Sequence, residues 1–184
     1  MEALKRDNYY TYADYASWDD DVRYELIEGV PYAMSSPLRV HQKISVALSY
    51  QLYHFLRNKP CEVYSAPFDV RLNVADEDDT IVQPDILVVC DESKLDDKSC
   101  KGAPDMIIEI LSPSTARHDS FVKFNLYQKA GVREYWIVDS EHNTVDVHLL
   151  KDDGYFTRKF DGKDTISVDV LEGCAINMAD VFAE

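Results

Sequence analysis

Two short runs constrain this chain more than anything else in it. Residues 81–90 (IVQPDILVVC) and 106–112 (MIIEILS) are apolar on both faces. In the first, Ile86 and Val88 alternate with Leu87 and Val89; in the second, Met106 and Ile108 alternate with Ile107 and Leu111. A strand with one wet face alternates apolar and polar residues, whereas continuous apolar runs belong in the middle of a sheet covered on both sides. Each run nevertheless holds one carboxylate, Asp85 and Glu109. The fold must therefore supply cover for both faces and company for two acids.

Helical patterns supply the cover. Ser36 and Pro37 offer an N-cap and a first-turn proline. From there to about Leu56, Val40, Ile44, Leu48, Leu52 and Phe55 form one apolar stripe. A second helix is expected over 119–130, ending at Gly131, a residue suited to the left-handed position after a helix. Residues 11–17 read as a short helix. Residues 24–34 (YELIEGVPYAM) read as a strand or hairpin turning at Glu28-Gly29, 62–74 as extended, and ADEDDT as a loop. Residues 134–139 (EYWIVD) form another buried strand, and 144–150, 155–160 and 165–170 an alternating antiparallel meander. The order of strand, helix, strands, helix and strands predicts a mixed α/β sheet flanked by helices, not a bundle or barrel. No repeat, linker or low-complexity tract divides the chain, so 1–184 is read as one domain.

If the two apolar strands pair as an antiparallel hairpin centred near residue 97, positions 85 and 109 are equidistant from its centre. Asp85 and Glu109 would then be cross-strand neighbours on one face, with Cβ atoms about 4.5–5.5 Å apart. Like charges buried together repel unless something bridges them. A divalent cation does so, and hard oxygen ligands suit Mg²⁺ or Mn²⁺. The alternative has one carboxylate capping a loop and the other protonated or paired with Lys or Arg. Metal-assisted hydrolysis also needs a positive group near the developing charge. The strand position two residues after Glu109 is Leu111, so the candidate is Lys123 on the following helix, where Tyr127 shares its face.

Charge narrows the partners. The chain carries 34 acidic and 19 basic residues, a formal net charge of −15, which at first argues against nucleic acid. The distribution says otherwise. Residues 38–60 hold four bases and no acid, and residues 116–133 hold four bases against Asp119. Both basic islands fall on the expected helices, and they carry the candidate nucleic-acid contacts Arg39, His41, Lys43 and Arg117. His41 sits at a helix start, where amide donors and the dipole favour a phosphate, or it is simply an exposed polar residue of the first turn.

Asp85 preceded by Pro84, then Glu109, then a lysine displaced onto the next helix, resembles the PD-(D/E)XK restriction endonuclease-like superfamily. More closely, YELIEG, QPDILVV, IEILSPST, the Asp119–Lys123–Tyr127 series and GVREYWIVD resemble the Uma-type endonuclease family over roughly residues 12–150. That resemblance implies a restriction endonuclease-like fold. It also implies that Asp85 and Glu109 hold the metal, that Lys123 is the migrated lysine, and that Glu25 is an accessory acid. It further implies Mg²⁺-dependent or Mn²⁺-dependent hydrolysis of phosphodiester bonds in DNA. The alternative within the same fold is a protein that has lost catalysis and serves as a nucleic-acid-binding module or scaffold.

Other features are quieter. Ser112, Ser114 and Thr115 have no G-x-S-x-G elbow around them. His54, His142 and His148 show no ligand spacing, and His118 reads as a cap. Two tryptophans make a poor sugar platform for a paired-carboxylate glycosidase. Cys61, Cys90, Cys100 and Cys174 lack C-x-x-C spacing, so the expectation is reduced structural thiols in a cytoplasmic protein. No apolar run approaches the roughly 20 residues that span a bilayer, and the N-terminus lacks a signal-peptide core. The C-terminal meander offers an edge through which a homodimer is expected to form.

Overall fold

The computed structural model describes residues 9–19, 21–74, 77–111 and 116–183, with the side chains of 116–120 left aside. In chain order the elements begin α1 (Tyr12–Tyr15), β1 (Tyr24–Ile27), β2 (Val30–Ala33), α2 (Arg39–Leu56), β3 (Glu62–Ser65), β4 (Asp69–Arg71), β5 (Ile81–Val82) and β6 (Ile86–Val89). They continue with β7 (Ser99–Lys101), β8 (Met106–Leu111), α3 (Ala116–Ala130), β9 (Glu134–Asp139), β10 (Thr144–Lys151) and β11 (Gly154–Asp161). The chain closes with β12 (Thr165–Ser167), β13 (Ala175–Asn177) and α4 (Met178–Val181).

The main sheet has six strands in the order β11-β10-β9-β8-β6-β3. Its doubly apolar strands β6 and β8 are internal, and β8 runs parallel to β9, with α3 as the crossover. A second, five-stranded sheet has the order β2-β1-β5-β4-β7, and β12 pairs with β13 as a separate ribbon. Two cores follow from the strand period. On one face of the main sheet, Ile86, Val88, Met106, Ile108 and Trp136 pack against Ile44, Leu48 and Leu52 of α2 and against Ile166 and Ile176 of the ribbon. On the other, Leu87, Val89, Ile107 and Tyr135 meet Tyr127 of α3 and Val70, Val82 and Cys100 of the smaller sheet.

The antiparallel register is the one expected: Ile86 faces Ile108, Leu87 faces Ile107 and Val88 faces Met106. The ladder ends at Ile86 and Ile108, so Asp85 and Glu109 lie one residue beyond its last pair.

Several elements differ from expectation. The run 81–90 is not one strand. It breaks at residues 83–85, so β5 joins the small sheet and β6 the large one. Pro84 has no N–H to donate to a central ladder, which is where such a break belongs. Helix α2 starts at Arg39 with Leu38 at its cap, not at Ser36-Pro37, and its buried stripe is His41, Ile44, Leu48, Leu52 and Leu56. Val40 is exposed; counting back three residues from Ile44 reaches residue 41, so the buried face continues through a histidine. Residues 165–170 do not extend the meander; Thr165–Ser167 turns away to pair with Ala175–Asn177. Cys61 and Cys90, expected as thiols, are joined in a disulfide. Glu62 pairs with Val89, which puts Cys61 directly across from Cys90, a proximity created by strand register and invisible in sequence spacing. Cys100 and Cys174 are free and buried, as expected.

Candidate active site

The break between β5 and β6 delivers Asp85 at the head of a central strand. There its Oδ2 accepts the Ile110 amide N–H at 2.7 Å and lies 3.0 Å from His41 Nε2 at the start of α2. One step along the opposite strand, Glu109 points to the other face, toward α3. Its Oε1 accepts from the Lys123 ammonium at 2.9 Å and from the Tyr127 hydroxyl at 2.7 Å. Lys123 and Tyr127 are one turn apart on α3, so a single helix face serves both bonds. Lys123 also donates to Glu25 Oε1 at 2.8 Å, and the same oxygen accepts the Gln83 amide N–H at 3.0 Å. One ammonium thus ties a carboxylate of β1, in the five-stranded sheet, to a carboxylate of β8, in the six-stranded one.

Burial sets the electrostatics. The Glu25 side chain is wholly enclosed, while those of Lys123 and Glu109 retain 8% and 12% of their surface. Desolvation, helped by the charges of Asp85 and Glu25, pushes the Glu109 carboxyl up to about 7, against the pull of Lys123 and the Tyr127 hydrogen bond. Burial alone would lower Lys123, but the Glu109 and Glu25 charges hold it well above its ordinary value. Burial likewise draws His41 down, and the hydrogen bond and charge of Asp85 more than offset it, so His41 stands raised. Tyr127 is raised by burial and by Glu109.

Among the described residues, no three His, Cys, Asp or Glu side chains converge as a ready metal cluster. Mg²⁺ does not need one, because it keeps several waters and binds through one or two carboxylates together with substrate phosphate. Asp85 and Glu109, near enough that the Asp85 charge raises the Glu109 carboxyl, offer two carboxylates of hard oxygens. Glu25 adds a buried Oε2 with no hydrogen-bond partner, and Gln83 a buried Oε1 in the same condition. These side chains fit a hard divalent cation.

The sequence-derived candidates divide accordingly. Glu109, Lys123 and Glu25 come together; Asp85, expected beside Glu109 on one face, turns instead to His41 and the Ile110 amide. His41, read as a phosphate contact, is instead buried against Asp85; its place on the α2 core stripe, three residues before Ile44, was the available signal. Arg39 and Lys43 are exposed on the first turns of α2, and Lys43 donates to the Ala183 carbonyl. The Arg117 side chain lies outside the described residues, as do those of His118 and Asp119 and all of Ser112, Ser114 and Thr115. The Gln83 and Ile110 amides were not anticipated; main-chain donors carry no sequence mark beyond their neighbours.

A mixed sheet flanked by helices, with an acid on each of two central strands and a lysine on the following helix, defines a restriction endonuclease-like α/β protein. The chain belongs to the Uma2 family, described as "Putative restriction endonuclease", whose model matches residues 12–179. Its fold is similar to that of a protein from Anabaena variabilis described as "a putative nuclease belonging to DUF820". The two share a TM-score of 0.76 and 19% identity, over 95% of this chain and 98% of that one. Two proteins of Synechocystis sp. are also similar. One, uncharacterized protein slr1290, is 29% identical over 144 residues, 77% of this chain and 74% of its own length. The other, uncharacterized protein sll1609, is 29% identical over 118 residues, 62% of this chain and 65% of its own length.

Proposed function

We propose that this protein is a metal-dependent endonuclease that hydrolyses phosphodiester bonds in DNA, acting as one domain and as a homodimer. The observation that carries the reading is the Glu25–Lys123–Glu109 tie beside Asp85, an arrangement with more negative charge than its single cation offsets. A divalent ion, Mg²⁺ or Mn²⁺, held by Asp85 and Glu109 would supply Lewis-acid polarisation of the phosphate and an activated water. The chain's own groups do the rest. The Ile110 amide and His41 fix the Asp85 carboxylate in one orientation. Lys123 holds a positive charge beside Glu109, where it neutralises charge developing on phosphate or orients the water, and Glu25 keeps that ammonium in place. Arg39, Lys43 and Arg117 belong to the basic segments that would meet the polyanion.

The test is cleavage of single- and double-stranded DNA with Mg²⁺ and Mn²⁺. The wild type cuts, and Asp85→Ala falls to background with its fold intact by circular dichroism. Calorimetry that finds no divalent-metal binding at millimolar concentration would sink the site. A folded protein that binds DNA but never cuts it would instead favour a binding module or scaffold.

A further inference from the structure

Helix α2 buries one stripe completely, with Leu48 and Leu52 wholly enclosed, yet on its outer face Val46, Tyr50 and Tyr53 are 67%, 66% and 62% exposed. These three continue a helical stripe whose other members are Arg39, Lys43 and Arg57, at steps of three and four residues. Bases at both ends therefore bracket an apolar, aromatic centre. Tyr50 is backed by His54, stacked on it at 6.0 Å between ring centroids. A cleft of about 470 Å³ runs beside this face, floored where Ser49 bonds Ser65 of β3 at 2.9 Å. His41 and Asp85 line the same cleft as Tyr50 and Tyr53. The aromatic face and Asp85 thus border one depression, and from His41 to Tyr53 it extends about 18 Å along the helix at about 1.5 Å per residue.

From this we infer that the α2 cleft is the substrate groove and that it takes a single-stranded polynucleotide, whose bases stack on Tyr50 and Tyr53 while the strand enters the site at Asp85. The inference rests on the nuclease reading and gives its substrate form. Three physical points lead to it. Single strands present their π-faces and a duplex does not, so exposed tyrosines on a cleft wall can stack only with unpaired bases. Residues 38–60 carry four bases and no acid in a chain of net charge −15, so a polyanion is drawn to this helix in preference to the acidic segments. A second copy of this chain docking here by two-fold symmetry would set the same basic stripe against itself, which like charges oppose.

The test is fluorescence anisotropy in metal-free buffer, so that nothing is cut, using 5′-fluorescein-labelled dT₁₂, U₁₂ and a 12-base-pair duplex. The single strands are expected to bind at least about tenfold more tightly than the duplex. Tyr50→Ala and Tyr53→Ala should each weaken single-strand binding about 5- to 100-fold, the range for loss of one base–aromatic stack. Tyr50→Phe and Tyr53→Phe, which keep the ring, should restore it. Arg57→Ala should flatten the salt dependence of log K by about 0.7. The dT₁₂ and U₁₂ arms distinguish the sugar. Duplex binding equal to single-strand binding, or alanine variants with unchanged affinity, overturns the groove. So does a drop in oligomeric mass on the same substitutions without a change in affinity. Failure of the two readings separates cleanly: tyrosine-dependent binding without metal-dependent cutting removes the nuclease and keeps the groove, whereas cutting that ignores both tyrosines does the reverse.

Discussion

Lys123 is the cation shared by two buried carboxylates, and its removal has two separable effects. Without it, the buried carboxylates of Glu25 and Glu109 lose the cation they share. Breaking a buried ion pair from one side typically costs about 3–5 kcal/mol, so urea unfolding of metal-free Lys123→Ala should show a loss of that order. With Mg²⁺ present the same variant should lose turnover by more than it loses metal affinity, because an ammonium is not itself a metal ligand. A titration of Mg²⁺ that weakens as much as kcat falls would refute that division. Glu134 gives a second check, far from any metal. Burial raises its carboxyl above the ordinary range, although the Val170 amide and the Trp136 indole donate to it at 2.9 and 2.7 Å. A raised native pKa means that this group's contribution is full at low pH and is lost as pH rises through the native value. The Tm of the wild type minus that of Glu134→Gln should therefore fall from pH 4 toward neutrality. A difference that grows with pH would mean that the two hydrogen bonds outweigh desolvation.

Among elements, α2 bears two duties on two faces, packing the main sheet with one and lining the cleft with the other. Leu48→Ala should cost about 2–5 kcal/mol in urea unfolding, as for other fully enclosed leucines, while leaving the exposed tyrosines in place. What was legible in sequence follows the same line. Apolar periodicity identified β6, β8, β9 and the core of α2, because burial acts on the same side chains that form the pattern. The register of β6 on β8 followed from the spacing of two acids about one loop, although the acids themselves lie beyond its last pair. The break at Pro84, the departure of β12 from the meander and the Cys61–Cys90 bond were not legible. Each depends on which strand lies alongside, and partner choice leaves no period in the sequence. The surroundings of His41 were hidden for a related reason: it is polar in composition but lies on the apolar stripe, where its partner, Asp85, is 44 residues away in sequence.

At the scale of the molecule, the six-stranded sheet ends in β11, which pairs only with β10. Phe156 on this strand is exposed, while Lys159 and Arg158 bond Asp146 and Asp169 at 2.8 and 3.7 Å. Neutralising its own charges in this way leaves the edge less repulsive toward a second copy than a bare row of cations would be. Light scattering should report twice the chain mass of 21.1 kDa, and a monomeric mass would remove the dimer. The tie through Lys123 bears on how the molecule comes into being. Glu25 and Asp85 are made early in synthesis, but Glu109 and Lys123 follow, and the ammonium that joins them spans two different sheets. A ribosome-bound chain that has folded only its first half holds two of the four side chains and none of their mutual bonds. The four side chains are assembled only once the sheets have docked, so the finished tertiary structure would act as the proposed site's own safety catch.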